Sequence, residues 1–299
     1  MASPHTDDLR LAHVLADDAD SLTMERFRAV DLHVSAKPDT TLVTDADKTC
    51  EQLLRGTLGR ARPRDAVLGE EDGASGWGRR QWVIDPIDGT ASFVRGVPVW
   101  GTLIALMDGD EVVVGCVSAP ALGRRWWASR GGGAWHGKSL MAAKPCRVSD
   151  VATVEDASFS YSNLTGWEQI GRLDDVLALC RRCWRSRAYG DFWSHMLVAE
   201  GAVDIAAEPS LALHDMAALD VIVTEAGGRF GSLAGRPGPL GANALATNGS
   251  LHDAAMAFLG HFPDDDGDGG GGRDGGGGGG GGGGGSLHDL SRRRRQPPG

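Results

Sequence analysis

Two carboxylates and a hydroxyl lie close together in the run Asp85-Pro86-Ile87-Asp88-Gly89-Thr90. The apolar Trp82-Val83-Ile84 before it predicts a short buried strand, which Pro86 and Gly89 would end in a sharp turn with both carboxylates pointing outward. Hard divalent cations such as Mg²⁺ prefer oxygen ligands, and paired carboxylates can flank such ions. The Thr90 hydroxyl and the Gly89 N–H would then face an oxyanion such as phosphate. Since a lone Asp-Pro-x-Asp-Gly run is also typical of an ordinary polar turn, the interpretation needs further ligands.

Three other segments could supply them. The segment from Ala66 to Asp72 predicts a strand that ends in carboxylates and could bring Glu70 beside Asp85. Apolar residues at helical spacing from 214 to 223 predict a helix with Asp215 in its first turn, where the helix dipole alone would also favour a carboxylate.

The third segment is Lys37-Pro38-Asp39 followed by residues 43–48, and it opens a further predicted helix, which runs through Leu58. Thr44 or Asp45 is its predicted N-cap, and this leaves Asp47 free to face inward.

In this order and at these separations, the segments resemble the inositol monophosphatase superfamily of Mg²⁺-dependent phosphatases, over residues 5 to about 262. The motifs that carry the resemblance are Gly69-Glu70-Glu71, Asp85 to Thr90, Asp215-Met216-Ala217-Ala218 and Glu225-Ala226-Gly227-Gly228. The resemblance implies a mixed α/β (α+β) fold, built as a layered αβαβα sandwich.

Longer stretches resemble one branch of that superfamily, the actinobacterial histidinol-phosphate phosphatases. They are residues 93–100, residues 117–122 with Arg125-Trp126-Trp127, and residues 187–192. The implied reaction is hydrolysis of L-histidinol phosphate to L-histidinol and phosphate, a step of histidine biosynthesis. The alternatives are an inositol-1-phosphate or other sugar-phosphate phosphatase and a catalytically silent scaffold, which the complete set of carboxylates disfavours.

The resemblance also implies a metal site and a catalytic group. Two or three Mg²⁺ ions would be held by Glu70, Asp85, the backbone carbonyl of Ile87, Asp88 and Asp215. The ions would polarise the ester, lower the pKa of a bound water and stabilise the departing alkoxide. Thr90, hydrogen-bonded to Asp47, would orient or deprotonate that water together with Glu70, without a covalent phosphoenzyme.

The implied substrate-binding residues are Asp88, Gly89, Thr90, Ala91, Arg187, Asp191, Glu208 and Asp215. Inositol phosphatases usually carry a small residue at the position of Asp191. A carboxylate there could pair with the amino or imidazole group of histidinol phosphate, or it could cap the helix predicted to begin at Phe192. Ala91 stands where close relatives often have Lys, and His214 stands where Trp is usual. We expect His214 to pack beside the site rather than to bind metal.

The composition of the chain indicates its cellular location and the classes of partner that it can bind. A chain of 299 residues with 41% apolar content can bury one sizeable core or two close-packed halves. The sequence shows no apolar run of about 18 residues and no signal-peptide profile at its start. The five scattered cysteines do not suggest a secreted disulfide scaffold, and Cys180-x-x-Cys183 is predicted to pack in a helix. We therefore predict a cytoplasmic enzyme, and the net charge of −10 argues against nucleic-acid partners.

The predicted elements begin with helices over about 6 to 32 and 45 to 60, followed by strands from 66 to 136. Asp108-Gly109-Asp110 predicts a hairpin within that region, and helices alternate with strands from 168 to 259. Residues 1–263 are predicted to form one phosphatase domain. Residues 264–299 hold long glycine runs and a run of four consecutive arginines at 292–295, and they are predicted to be a disordered tail. The resemblance makes a homodimer plausible.

Overall fold

Two large β-sheets separated by helices make up the fold in a computed structural model that describes residues 4–37 and 41–260. The glycine-rich tail predicted for residues 264–299 lies outside the described residues. Within the described ranges, no helix combines the length and the apolar character that a membrane span requires.

The helices are α1 (Thr6–Arg26), α2 (Asp45–Ala61), α3 (Thr90–Arg95), α4 (Leu164–Gln169), α5 (Leu173–Arg182), α6 (Asp191–Ala199), α7 (Leu213–Glu225) and α8 (His252–Leu259). The strands are β1 (Val34–Ala36), β2 (Leu42–Thr44), β3 (Ala66–Gly69), β4 (Gly73–Ser75), β5 (Arg80–Asp88), β6 (Gly101–Asp108), β7 (Glu111–Ala119), β8 (Arg124–Ser129), β9 (Ala134–His136), β10 (Lys144–Pro145), β11 (Ser158–Tyr161), β12 (Arg185–Arg187), β13 (Ile205–Glu208), β14 (Arg229–Gly231) and β15 (Ala244–Thr247). Short 3₁₀ turns lie at Pro120–Leu122, Leu140–Ala142 and Val154–Asp156.

The first sheet has the strand order β10-β9-β8-β7-β6-β5-β3-β4, and only its β3–β5 pair is parallel among the described strands. Side chains alternate between its two faces, as a strand requires. Trp82 and Ile84 of β5 pack against α1 and α2, whereas Val83 packs against α6 and α7. The sheet is therefore covered by helices on both sides, which explains why its central strands are apolar throughout.

The second sheet has the order β12-β11-β13-β15-β14. One face contributes Ala206 and Ala246 to the core shared with α6 and α7. The other face packs Phe159 and Ile205 against α4, α5 and α8. The layers are thus helix, sheet, helix, sheet and helix, and the expected αβαβα sandwich is confirmed.

The first predicted helix is too long. α1 ends at Arg26, and Phe27 turns into an extended conformation with φ −62° and ψ 119°. Phe27 and Leu32 pack against the buried Phe93 and Trp100, and this contact draws the chain away from the helix axis. The helix prediction over residues 27 to 32 was therefore wrong, because a tertiary contact outweighs the local helical pattern.

The predicted turn at Pro86 is also wrong. β5 continues through Pro86 to Asp88, and Asp85 is buried rather than turned outward. Proline has no N–H for the ladder, and here the pairing with β6 shifts by one residue between Asp85 and Asp88, a β-bulge. The Thr102 hydroxyl donates to the Pro86 carbonyl at 2.8 Å and so connects the two strands beside the bulge.

Gly69 ends β3 where a side chain cannot fit. A Cβ at this position would lie 2.1 Å from Oε1 of Glu51. Glu51 is fully buried, accepts the N–H groups of Glu71 and Asp72 at 2.8 and 3.0 Å, and so fixes the chain after Glu70. We expect Gly69→Ala to lower the free energy of unfolding by about 2 kcal/mol, since it must displace a hydrogen-bonded carboxylate.

Chemical denaturation would measure this loss. The control is Gly59→Ala in α2, where a Cβ meets nothing within 4 Å. That change should stabilise the protein by about 0.5 kcal/mol, because alanine favours a helix more than glycine does. Equal stabilities of the two variants would contradict the role given to Gly69.

Candidate active site

Six carboxylates gather in two clusters near the ends of β3 and β5. The first cluster contains Asp85, Asp88 and Asp215, and the second contains Asp47, Glu70 and Glu71. Within each cluster, one oxygen of every member lies within 4.8 Å of one oxygen of the others. This spacing suits oxygen ligands that surround a hard cation.

Backbone N–H groups orient the first cluster. The Ile87 N–H donates to Asp85 at 3.0 Å, the Ala212 N–H donates to Asp215 at 2.7 Å, and the Phe192 N–H donates to Asp88 at 2.8 Å. β5 thus supplies two of these carboxylates, and α7 supplies the third from its first turn, as predicted from its sequence pattern. The bond from Phe192 also ties the start of α6 to the carboxylate of Asp88.

The second cluster includes Asp47, which is predicted to act together with the Thr90 hydroxyl. Thr44 is the N-cap of α2 and forms a capping box with Asp47, whose Oδ2 accepts the Thr44 N–H at 2.8 Å and its hydroxyl at 2.5 Å. The Thr90 hydroxyl lies 3.3 Å from Asp47 Oδ1 and 3.0 Å from the Ile87 carbonyl. Because one hydroxyl proton can serve only one acceptor at a time, Asp47 and Ile87 compete for it.

Lys37 lies in one of the segments from which the site was predicted, but the sequence indicated no role for its side chain. Its Nζ lies 2.7 Å from Glu70 and 2.8 Å from Glu71. Burial alone would lower the pKa of Lys37, but its hydrogen bonds to the two glutamates and their negative charges together outweigh burial and raise it. A cation is thus already bound between these carboxylates, which shows that the cluster suits positive charge.

The electrostatics of the first cluster also favour a metal. Burial raises the pKa of Asp85 well above its ordinary value, and the nearby Glu70, Asp88 and Asp215 raise it further. Burial likewise raises the pKa of Asp88, with additional repulsion from Asp191 and Asp215. Carboxylates so arranged become fully ionised when a cation neutralises their repulsion. The residues present therefore fit divalent metal ions.

Asp191 reaches this site from α6. A Cβ on Gly89 would lie 3.2 Å from Asp191 Oδ2, so the Asp191 carboxylate sits directly over the Asp88-Gly89-Thr90 turn. The N-cap of α6 is Gly190 and Asp191 is the first helical residue, so the capping hypothesis for Asp191 is wrong. Its φ of +50° is uncommon outside glycine, although aspartate and asparagine tolerate it best. Burial, followed by repulsion from Glu208 and Asp215, raises the pKa of Asp191 to about 7.

The other predicted residues differ in how closely they approach the clusters. Glu208 ends β13, is buried, and raises the pKa of Asp88, Asp191 and Asp215 by repulsion, although burial is the largest cause for each. Arg187 is exposed on the edge strand β12, where its side chain donates to the Ser186 carbonyl at 2.7 Å. The hydrogen bonds and ion pairs found among the described residues do not join Arg187 to either cluster, and its substrate role stays a prediction.

His214 and Ala91 flank the site. His214 is partly buried, and its Nε2 lies 3.4 Å from Asp215 Oδ1, which places the ring beside the acidic cluster; that it packs there without binding metal stays a prediction. Ala91 is exposed in the first turn of α3, immediately after Thr90.

Comparisons with known proteins agree with this arrangement. Residues 7–260 match the model of the inositol monophosphatase family. The chain is 62% identical over 259 residues to a histidinol-phosphatase of Streptomyces coelicolor, covering 85% of this chain and 97% of the relative. It is 57% identical over 256 residues to a histidinol-phosphatase of Mycobacterium tuberculosis, covering 85% and 98%. A solved Thermotoga maritima IMPase is 28% identical, with a TM-score of 0.76 and coverage of 85% of this chain and 97% of that one.

Proposed function

Because this chain belongs to the inositol monophosphatase family, we propose that it is a phosphatase that hydrolyses L-histidinol phosphate to L-histidinol and phosphate. The observation that carries the choice of substrate is the Asp191 carboxylate, which lies over Gly89 with Glu208 nearby. An ester whose alcohol carries an ammonium and an imidazole group matches the acidic pair of Asp191 and Glu208, and the phosphate ester of an uncharged polyol does not. The two histidinol-phosphatases at 62% and 57% identity support the same choice.

The metal ions in this proposal are two or three Mg²⁺. The groups that would hold them are Glu70, Asp85, Asp88, Asp215 and the Ile87 carbonyl. The other three carboxylates lie close enough to Asp85 to repel it, and the carbonyl oxygen lies 3.0 Å from the Thr90 hydroxyl at the same site. When bound, Mg²⁺ stabilises negative charge on the phosphate oxygens and on the leaving alkoxide.

Thr90, together with Asp47, would accept a hydrogen bond from the attacking water and so orient or deprotonate it. When the Thr90 hydroxyl donates to Asp47, the lone pairs of the same oxygen are free to accept a hydrogen from water. Burial raises the pKa of Asp47 to about 6, so the group is mostly ionised at neutral pH and can accept that bond. Glu70, in the same cluster, would be the second acceptor for the water.

The phosphate would lie on the turn of Asp88, Gly89 and Thr90, from which α3 begins. Gly89 has φ +83° and a Cβ there would meet the Val99 carbonyl at 3.1 Å, so both the backbone conformation and the neighbouring chain favour glycine at this turn. Asp191 and Glu208 would then bind the cationic end of the ester, with Arg187 reaching it from β12.

Phosphate release by the purified chain tests this proposal. L-Histidinol phosphate, inositol-1-phosphate and fructose-1,6-bisphosphate would be compared with Mg²⁺ and with a chelator. We expect kcat/KM for histidinol phosphate to exceed that for the other two by at least about 100-fold, the contribution of a desolvated charge pair. Chelation should remove the activity. Equal or faster turnover of inositol-1-phosphate would instead support the sugar-phosphate alternative.

We further infer the domain bounds, the cellular location and the oligomeric state that the sequence predicts. Residues 1–263 would form the phosphatase domain, acting as a cytoplasmic homodimer. All five cysteines are free thiols, and four of them are buried, in keeping with a reducing compartment.

A further inference from the structure

His195 and Glu208 face each other in the core behind the acidic site. His195 lies on α6 and its side chain is 0% exposed, while Glu208 ends β13 and its side chain is 5% exposed. His195 Nε2 and Glu208 Oε1 are 3.8 Å apart, which is too long for a hydrogen bond. Neither of these atoms, nor His195 Nδ1, has a hydrogen-bond partner among the described residues.

Such unpaired atoms are costly in a protein core, because each has given up its hydrogen bonds to water. The imidazole packs against Phe230, with ring centroids 5.7 Å apart, so its neighbourhood on that side is apolar. A closure of about 1 Å would satisfy Nε2 and Oε1 together. Active-site hydrogen bonds are often long in the free protein and shorten when substrate binds.

We infer that His195 is a positioning residue for Glu208: its Nε2–H donates to Oε1 when the cationic end of the substrate binds, and this holds the carboxylate toward the ester. The inference rests on the proposed function, because it concerns the recognition of a cationic phosphate ester at the same site.

The choice of a histidine has a clear physical reason. Glu208 lies close enough to Asp88, Asp191 and Asp215 to repel each of them. A lysine or arginine behind Glu208 would neutralise its charge and weaken its attraction for a substrate cation. An imidazole can donate a hydrogen bond without the permanent positive charge of a lysine or an arginine, and it can therefore leave the negative charge of Glu208 intact.

Kinetics of two variants test this role. His195→Met keeps the volume and removes the donor, whereas His195→Gln keeps an N–H donor. The substrates are L-histidinol phosphate and glycerol 2-phosphate, whose alcohol carries no charge. We expect His195→Met to raise KM for histidinol phosphate about tenfold, the loss of one hydrogen bond to a charged group, with kcat nearly unchanged. KM for glycerol 2-phosphate should stay the same, and His195→Gln should restore most of the lost affinity.

A double-mutant cycle with Glu208→Gln measures the coupling between His195 and Glu208. In that background His195→Met should have no further effect on KM for histidinol phosphate. Equal losses on both esters, or an additive effect of the two substitutions, would overturn the inference and leave His195 a packing residue. If His195→Met does not fold, His195→Asn replaces it, because its amide is one carbon shorter than that of Gln and does not reach Glu208.

Kinetics of the wild-type protein distinguish an error in the proposed substrate from an error in the role of His195. If it does not prefer histidinol phosphate to glycerol 2-phosphate, the proposed substrate is wrong. If it has that preference and His195→Met retains it in full, the role of His195 alone is wrong.

Discussion

Asp88→Asn should lower kcat for phosphate release by about 1,000-fold or more, because it removes a negative ligand from the proposed metal site. An asparagine oxygen can still accept the Phe192 N–H that Asp88 now accepts at 2.8 Å, so the start of α6 keeps its anchor. The substitution also removes repulsion with Asp191 and Asp215, two causes, after burial, of the raised pKa of Asp88. We therefore expect the metal-free variant to unfold at a temperature equal to or above that of the wild type.

Thermal unfolding with and without Mg²⁺ would show this directly. Wild-type protein should be stabilised by Mg²⁺ and the Asp88→Asn variant much less, since a ligand that binds only the folded state stabilises it by mass action. Retention of full activity, or an unchanged response to Mg²⁺, would show that Asp88 is not a metal ligand.

Asp220→Asn is the matched control. Asp220 lies on α7, the helix that carries Asp215, but belongs to neither acidic cluster. Burial raises the pKa of Asp220 to about 6, so the folded state holds its proton more tightly than the unfolded state. The stabilisation that follows is present below about pH 4 and is lost as the pH rises through 6. Asp220→Asn should therefore leave kcat unchanged and raise the unfolding temperature at pH 8 more than at pH 4.

Asp191→Asn should raise KM for L-histidinol phosphate by about 100-fold and leave turnover of inositol-1-phosphate nearly unchanged. The expected loss follows from breaking a desolvated pair between a carboxylate and a substrate cation. Asparagine is the appropriate replacement because Asp191 has φ +50°, a conformation that alanine and serine adopt at greater cost. Steady-state kinetics with both esters would measure the effect.

Arg28→Asn is a control for the effect of placing asparagine at a residue with positive φ. Arg28 has φ +64°, outside the acidic clusters, and its guanidinium donates to the Gly96 carbonyl at 2.7 Å. Replacing it should alter stability without altering the ratio of the two activities. Parallel losses on both esters in the Asp191→Asn variant would mean that Asp191 acts on the phosphate or the metal, and not on the alcohol of the ester.

Local chemistry explains which parts of the site could be predicted from sequence. The Thr44 N-cap and the Asp215 helix start depend on residues within a few positions of each other, and the structure has both. The turn predicted at Pro86 is wrong because a strand can continue past a proline when a β-bulge lies where the proline has no N–H to donate. The sandwich followed from the resemblance to a family, since periodicity alone does not decide how sheets and helices stack.

Contacts between distant parts of the chain explain the rest. Lys37 meets Glu70 and Glu71 through an ion pair that no local pattern encodes. His195 lies in an apolar helix and becomes notable only because β13 brings Glu208 to it. Such groups are identified by their burial and by the partner they face, and both are properties of the folded chain.

The two groups of acidic residues have different origins in the fold. The carboxylates that would hold metal come mainly from the first sheet, whereas Asp191 and Glu208 come from α6 and the second sheet. Evolution could therefore change the alcohol that is recognised by replacing side chains on α6 and β13, while the hydrolytic chemistry is inherited unaltered. The bond from the Phe192 N–H to Asp88 sets a limit on this freedom. Side chains at the start of α6 can diverge, but an insertion or deletion there would disturb the inherited chemistry as well.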